Sequence, residues 1–197
     1  MLKQPGKKYT AFPPVGLTDR NWPNEVLTRA PRWASIDLRD GNQALVEPMD
    51  VARKLRMFET LVAIGFKEIE VGYPSAGKVE FDFVRKLIEE DRIPDDVAIQ
   101  VLTPARAELI ERTFEALSGV KNAIVHMYTA VAPIMRDVVF GLDQDGLVKL
   151  ATDHIRLIKE RVAQHPETNW TLEYSPEMFS DTELEFSKCM VDAVTDV

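Results

Sequence analysis

The stretch Trp33–Leu45, WASIDLRDGNQAL, ends a short apolar run in Arg39 and Asp40 and then turns at Gly41. An aspartate at such a point is a hard oxygen ligand suited to a divalent cation such as Mg²⁺ or Mn²⁺. An arginine beside it can stabilise negative charge developing on a substrate oxygen. Further along, His126 lies in the apolar run NAIVHMY, and Glu177 follows Ser175 and Pro176 in LEYSPE. Both residue types can move protons or orient a substrate. Each has a plainer reading as well. Asp-Gly is a common turn dipeptide, an isolated histidine in an apolar strand can be a satisfied core residue, and Glu177 could be an acid favoured at a helix start. Glu70 and Glu173 could each be structural partners for an arginine. One carboxylate makes a poor metal site, so further ligands have to come from elsewhere.

The elements that would carry these residues sit in a chain of 197 residues, 45% hydrophobic and 28% charged, enough for one well-buried domain. The net charge of −8 argues against nucleic acid as the main partner, because phosphate binding relies on clustered Lys and Arg. No run approaches the roughly 18 apolar residues of a membrane span, and the basic start MLKQPGKKYTAF has no apolar stretch behind it. The expected compartment is the cytoplasm. The single cysteine, Cys189, excludes an internal disulfide and a cysteine-based zinc site, and its helical apolar surroundings predict a packing role.

Prolines without a sustained period over residues 1–31 read as an irregular arm. From residue 32 to 197, short β-rich runs alternate with helical patterns. Strands are expected at 33–38, 67–72, 97–102, 122–128 and 169–174. Helices are expected at about 51–64 (capped by Asp50 and ended by Gly65), 79–90, 106–117, 147–164 and from about 181 onward. Five βα units favour parallel strands with helices outside. No Gly-x-Gly-x-x-Gly follows a strand, which weakens the dinucleotide-binding alternative. A (β/α)₈ barrel needs about 250 residues, so the pattern predicts an α/β fold consisting of the first five units of such a barrel. In a barrel the chemistry gathers at the C-terminal strand ends. Arg39, Asp40, Glu70, His126, Tyr128, Glu173 and Glu177 would all lie on strands or just beyond them toward that end, and this common phasing favours a site over scattered structural charges.

The motifs IDLRDGNQAL, EIEVGYPSAGKVEFDFVR and LEYSPE, in this order, resemble those of the 2-isopropylmalate synthases. These are acetyl-CoA-dependent Claisen-condensing enzymes among the metal-dependent barrels with an Asp-Arg-Glu-type signature. The resemblance runs from about Leu17 to Val197. It implies condensation of acetyl-CoA with 2-oxoisovalerate, the committed step of leucine biosynthesis, in an enzyme that works as a homodimer. It implies that Asp40 binds a divalent metal, Mg²⁺ first, with Mn²⁺ or Zn²⁺ as alternatives. Arg39 would stabilise the polarised keto oxygen and the forming alkoxide, His126 would lie near the substrate and acetyl group, and Ser175 and Glu177 would be substrate-side residues, Glu177 also helping with acid–base steps.

Two departures stand out. The family completes its metal site with a His-x-His pair, and the histidines here are only His126, His154 and His165, the last two expected on helix four facing solvent. LTPARAELIERT has Pro104 and Ala105 where Gln and Cys are expected, although Arg106 remains. The chain is therefore expected to be inactive alone and to bind metal weakly. Citramalate or homocitrate synthesis is the alternative chemistry, and a non-catalytic short chain that pairs with a partner through its open half-barrel edge is the alternative of a different class.

Overall fold

The computed structural model describes residues 28–197 and, before them, only Lys7; the arm expected over residues 1–31 lies almost wholly outside the described residues. Five parallel strands pair in chain order: β1 (Ala34–Ser35), β2 (Glu68–Gly72), β3 (Ala98–Pro104), β4 (Asn122–Ala130) and β5 (Asn169–Glu177). Helices α1 (Val51–Ile64), α2 (Lys78–Glu89), α3 (Ala107–Leu117), α4 (Gln144–Gln164) and α5 (Leu184–Thr195) follow the strands in turn. A doubly wound sheet would reverse its strand order and carry helices on both faces. Here the order is sequential, and one face of the sheet takes the helices, which makes a half-barrel.

Alternation along the strands decides which side chains face which way. Ile69 and Val71, Ile99 and Val101, and Val125 and Met127 point outward into a core with Phe58, Phe83, Leu87, Ile110, Leu117 and Leu147 from the helices. The intervening residues Glu70, Gln100, His126 and Ser175 therefore line the inner face. Helix α1 starts where the Asp50 carboxylate accepts the Arg53 N–H at 2.8 Å and stops at Gly65, whose φ of 109° needs no Cβ. Helix α4 starts three residues before its expected position, because Asp143 caps it by accepting the Gly146 N–H at 2.8 Å.

Three expectations are corrected. The strand expected at 33–38 is two residues long; from Asp37 to Gly41 the chain winds into a wide, π-helical turn in which the Ile36 carbonyl accepts N–H groups from Arg39, Asp40 and Gly41. Cys189 is exposed, since the buried stripe of α5 runs through Phe186, Ser187, Met190 and Val194. His154 and His165 are half-buried: His154 Nδ1 lies 2.8 Å from the Leu150 carbonyl, a donor distance, and His165 caps α4.

The π-helical turn after β4, Met135–Phe140, is tied to the start of α5 through Arg136. Its guanidinium lies 2.9 and 2.7 Å from the two Glu183 carboxylate oxygens and 4.6 Å from the Phe186 ring centre. Arg136 holds the Glu183 carboxyl down at about 2. A depressed carboxylate pKa stabilises the fold above the ordinary carboxylate range, and that contribution is lost as pH falls toward 2. Glu183→Gln should therefore lower stability at pH 7 and leave it nearly unchanged at pH 2. Urea unfolding at the two pH values checks this, and an equal loss at both would refute it.

Candidate active site on the inner face

The turn that shortens β1 carries Arg39 across the mouth of the half-barrel. Its Nε and Nη2 both lie 2.8 Å from Glu70 Oε2, and its Nη1 donates to Asp40 Oδ1 at 3.0 Å. Glu70, from β2, is fully buried. Its other oxygen, Oε1, is 3.1 Å from His126 Nδ1 on β4, and His126 Nε2 is 2.7 Å from Ser175 Oγ on β5. One chain of polar contacts thus joins the turn after β1 to three strands, β2, β4 and β5, through Asp40, Arg39, Glu70, His126 and Ser175.

The protonation pattern follows from Glu70. Burial alone would raise its pKa, but hydrogen bonds from His126 and Arg39, together with the positive charge of Arg39, hold it below the usual carboxylate value. An ionised carboxylate only accepts, so Nδ1 carries a proton toward Glu70. With no second proton on the ring, Nε2 accepts from the Ser175 hydroxyl 2.7 Å away. The guanidinium has five N–H donors; three are engaged with Glu70 and Asp40, and the remaining two are available to a ligand oxygen at the mouth.

The structure brings together Arg39, Asp40, His126 and Ser175, and adds Glu70 as the group that links them. Glu173 Oε1 is 3.5 Å from His126 Nε2, with a side chain 44% exposed. Glu177 stands apart: it ends β5, is exposed, and lines a cavity of ≈330 Å³ with Tyr73, Arg106, Tyr128, Val139 and Leu150. The Tyr73 and Tyr128 rings meet edge to face at 6.5 Å, and burial together with the hydrogen bond to Tyr128 pushes the Tyr73 phenol up. Sequence reading passed over Gln100, whose Nε2 lies 3.1 Å from His126 Nδ1. With that nitrogen donating to Glu70, the Gln100 amide fits best turned so that its oxygen faces the ring. A glutamine within the apolar run VAIQVL of β3 was the available signal.

Among the described residues, no three His, Cys, Asp or Glu side chains converge to enclose an ion. Asp40, with its side chain 57% exposed, offers one hard oxygen ligand. The donors among the described residues do not by themselves close a divalent-cation site. No helix among the described residues is long and apolar enough to cross a membrane.

Over all 197 residues the chain is 61% identical to the 2-isopropylmalate synthase of Parvibaculum lavamentivorans and 58% identical to that of Paraburkholderia xenovorans. It spans only about a third of those proteins, 35% and 34% of their lengths. The crystal structure of HMG-CoA lyase from Bacillus subtilis superposes with a TM-score of 0.59 at 16% identity, covering 83% of this chain and 53% of that one, a likeness of fold. Residues 30–197 match the family model described as HMGL-like. With a half-barrel of like fold and a family match over residues 30–197, the chain belongs to the HMGL-like family.

Proposed function

We propose that the full-length enzyme containing this chain condenses acetyl-CoA with 2-oxoisovalerate and water to give 2-isopropylmalate and free CoA. The observation that carries the reading is the Arg39 guanidinium, held by fully buried Glu70 on the wall of a cavity it shares with Asn42, Gln43 and Tyr73, with two N–H groups not engaged by Glu70 or Asp40. Those donors suit a keto oxygen that becomes an alkoxide as the new carbon–carbon bond forms. The relatives at 55–61% identity supply the choice of reaction. His126 and Ser175 bind and orient the substrate, with the protonated Nδ1 fixing the imidazole. Glu177, on the wall of the neighbouring cavity, positions substrate or takes part in proton transfer.

A divalent cation, Mg²⁺ first with Mn²⁺ or Zn²⁺ as alternatives, polarises the keto group when bound. By resemblance Asp40 is a ligand to it, and the His-x-His pair with which the family completes the site is not in this sequence. Isothermal titration of the 197-residue chain with Mg²⁺ or Mn²⁺ should show only weak binding, and tight stoichiometric binding would overturn this assignment. A homodimer working in the cytoplasm is proposed on resemblance alone.

The test of the reaction is release of the CoA thiol by the full-length enzyme with acetyl-CoA and each of three 2-oxo acids. The rate should be highest with 2-oxoisovalerate and lower with pyruvate, since each missing methylene is worth about 10–200-fold. Preference for pyruvate or 2-oxoglutarate would transfer the assignment to citramalate or homocitrate synthesis.

A further inference from the structure

Outside the site, two charges occupy positions that helix periodicity reserves for apolar residues. Lys54 shares the inward stripe of α1 with Phe58 and Leu61, and is fully buried. Glu80 shares the stripe of α2 with Phe83, Val84 and Leu87. The Lys54 ammonium bonds to Glu80 Oε1 and lies 5.3 Å from the Phe83 ring centre. Replacing a buried ion pair with apolar residues of similar size is often neutral or stabilising. Stability is therefore a weak reason for keeping it.

The second carboxylate oxygen points to another reason. Glu80 Oε2 rests against Gly72, the last residue of β2, where an added Cβ would collide with it. At this point the β2–β3 ladder slips: Glu70 pairs with Gln100, while Gly72, two residues on, pairs with the very next residue, Val101. The irregularity comes immediately after the carboxylate that holds Arg39 and His126. A cavity of ≈400 Å³ lined by Arg39, Asn42, Gln43, Tyr73 and Glu80 connects the two regions.

We infer that Lys54 and Glu80 are positioning residues: anchored on α1 and α2, they clamp the kinked end of β2 so that Glu70 presents Arg39 in its working orientation. This rests on the condensation reading above. Neither residue touches the reacting atoms.

The test uses the full-length enzyme with two variants. Lys54→Met/Glu80→Gln removes both charges and leaves none unpaired; Gly72→Ala keeps the pair and displaces it. Both should fold, lower kcat at least tenfold, change the KM for acetyl-CoA by less than threefold, and speed amide exchange at residues 70–73. Adding Glu80→Asp to Gly72→Ala shortens the side chain and should restore most of kcat. Should the charge-free variant fail to fold, Gly72→Ala and its rescue decide. A kcat within twofold of the parent in a folded variant overturns the proposal, whether or not exchange changes, because the pair is then structural only. If the parent itself releases no CoA with any 2-oxo acid, the condensation reading falls. Exchange at residues 70–73 then decides the clamp: unchanged protection overturns it, and lost protection supports it.

Discussion

Arg39→Lys in the full-length enzyme should lower kcat by about 10²–10³-fold, the cost of removing a preorganised donor to a developing oxyanion. The substitution conserves charge and so isolates geometry. The arginine fork places Nε and Nη2 on one Glu70 oxygen while Nη1 holds Asp40. A lysine ammonium is a compact point charge with three donors on a flexible stem. Drawn to fully buried Glu70, it would leave no rigid donor at the mouth and would release Asp40. The KM for 2-oxoisovalerate should rise less than kcat falls, because the lost interaction strengthens as charge builds on the oxygen. Steady-state thiol release measures both constants, and a kcat within threefold of the parent would show that Arg39 does not stabilise the transition state.

The elements are legible because EIEVG and NWTLEY alternate, VAIQVL and NAIVHMY are short apolar runs of strand length, and the helices carry a period of 3.6, with Asp50 and Gly65 marking both ends of α1. The error at β1 has a local cause. WASIDL alternates well enough for a strand, but Asp37 accepts from the Ser35 hydroxyl at 2.6 Å, and three N–H groups converge on the Ile36 carbonyl. Side chain–backbone competition of this kind is short-ranged and leaves no periodic trace. The inward faces of α1 and α2 are only partly legible: Val51, Leu55 and Val62, and Phe81 and Ile88, pack partly buried against the core, but Lys54 and Glu80, which a hydrophobic pattern counts as surface, lie along the same inward stripes as Phe58 and Phe83. In the site, Arg39, Asp40, His126 and Ser175 could be found from motif and strand phase. The roles of Glu70 and Gln100 could not, because an ionisable or amide residue in a strand reads alike whether it holds a neighbour or a substrate. Only the pairing of β2 with β3, and of β3 with β4, puts Glu70 between Arg39 and His126.

Glu70→Gln tests which of two opposing effects rules that carboxylate. If burial won, Glu70 would be neutral at pH 7 and the isosteric amide would be nearly harmless. The structure predicts the reverse, since the hydrogen bonds and charges of His126 and Arg39 outweigh burial and keep the group ionised. Removing that charge leaves a guanidinium, with a side chain only 17% exposed, facing an amide that cannot neutralise it. Breaking a buried pair costs about 3–5 kcal/mol, and the lower end applies because Arg39 keeps Asp40. The sign with pH follows from the lowered pKa: the stabilisation is present above the ordinary carboxylate value and is lost as pH falls through the lower folded value. The stability gap between parent and variant should therefore be wide at pH 7 and narrow steadily below about pH 4.5. Urea unfolding across that range measures it, and a gap independent of pH would mean that Glu70 is not ionised in the fold. The same variant removes the anion that holds the proton on His126 Nδ1. Nitrogen chemical shifts of the ring should then show the tautomer moving toward Nε2–H, with the Ser175 hydroxyl changing from donor to acceptor. A loss of turnover accompanied by that shift would place the effect of Glu70 in the orientation of its two neighbours, whereas a loss without it would place the effect in Arg39 alone.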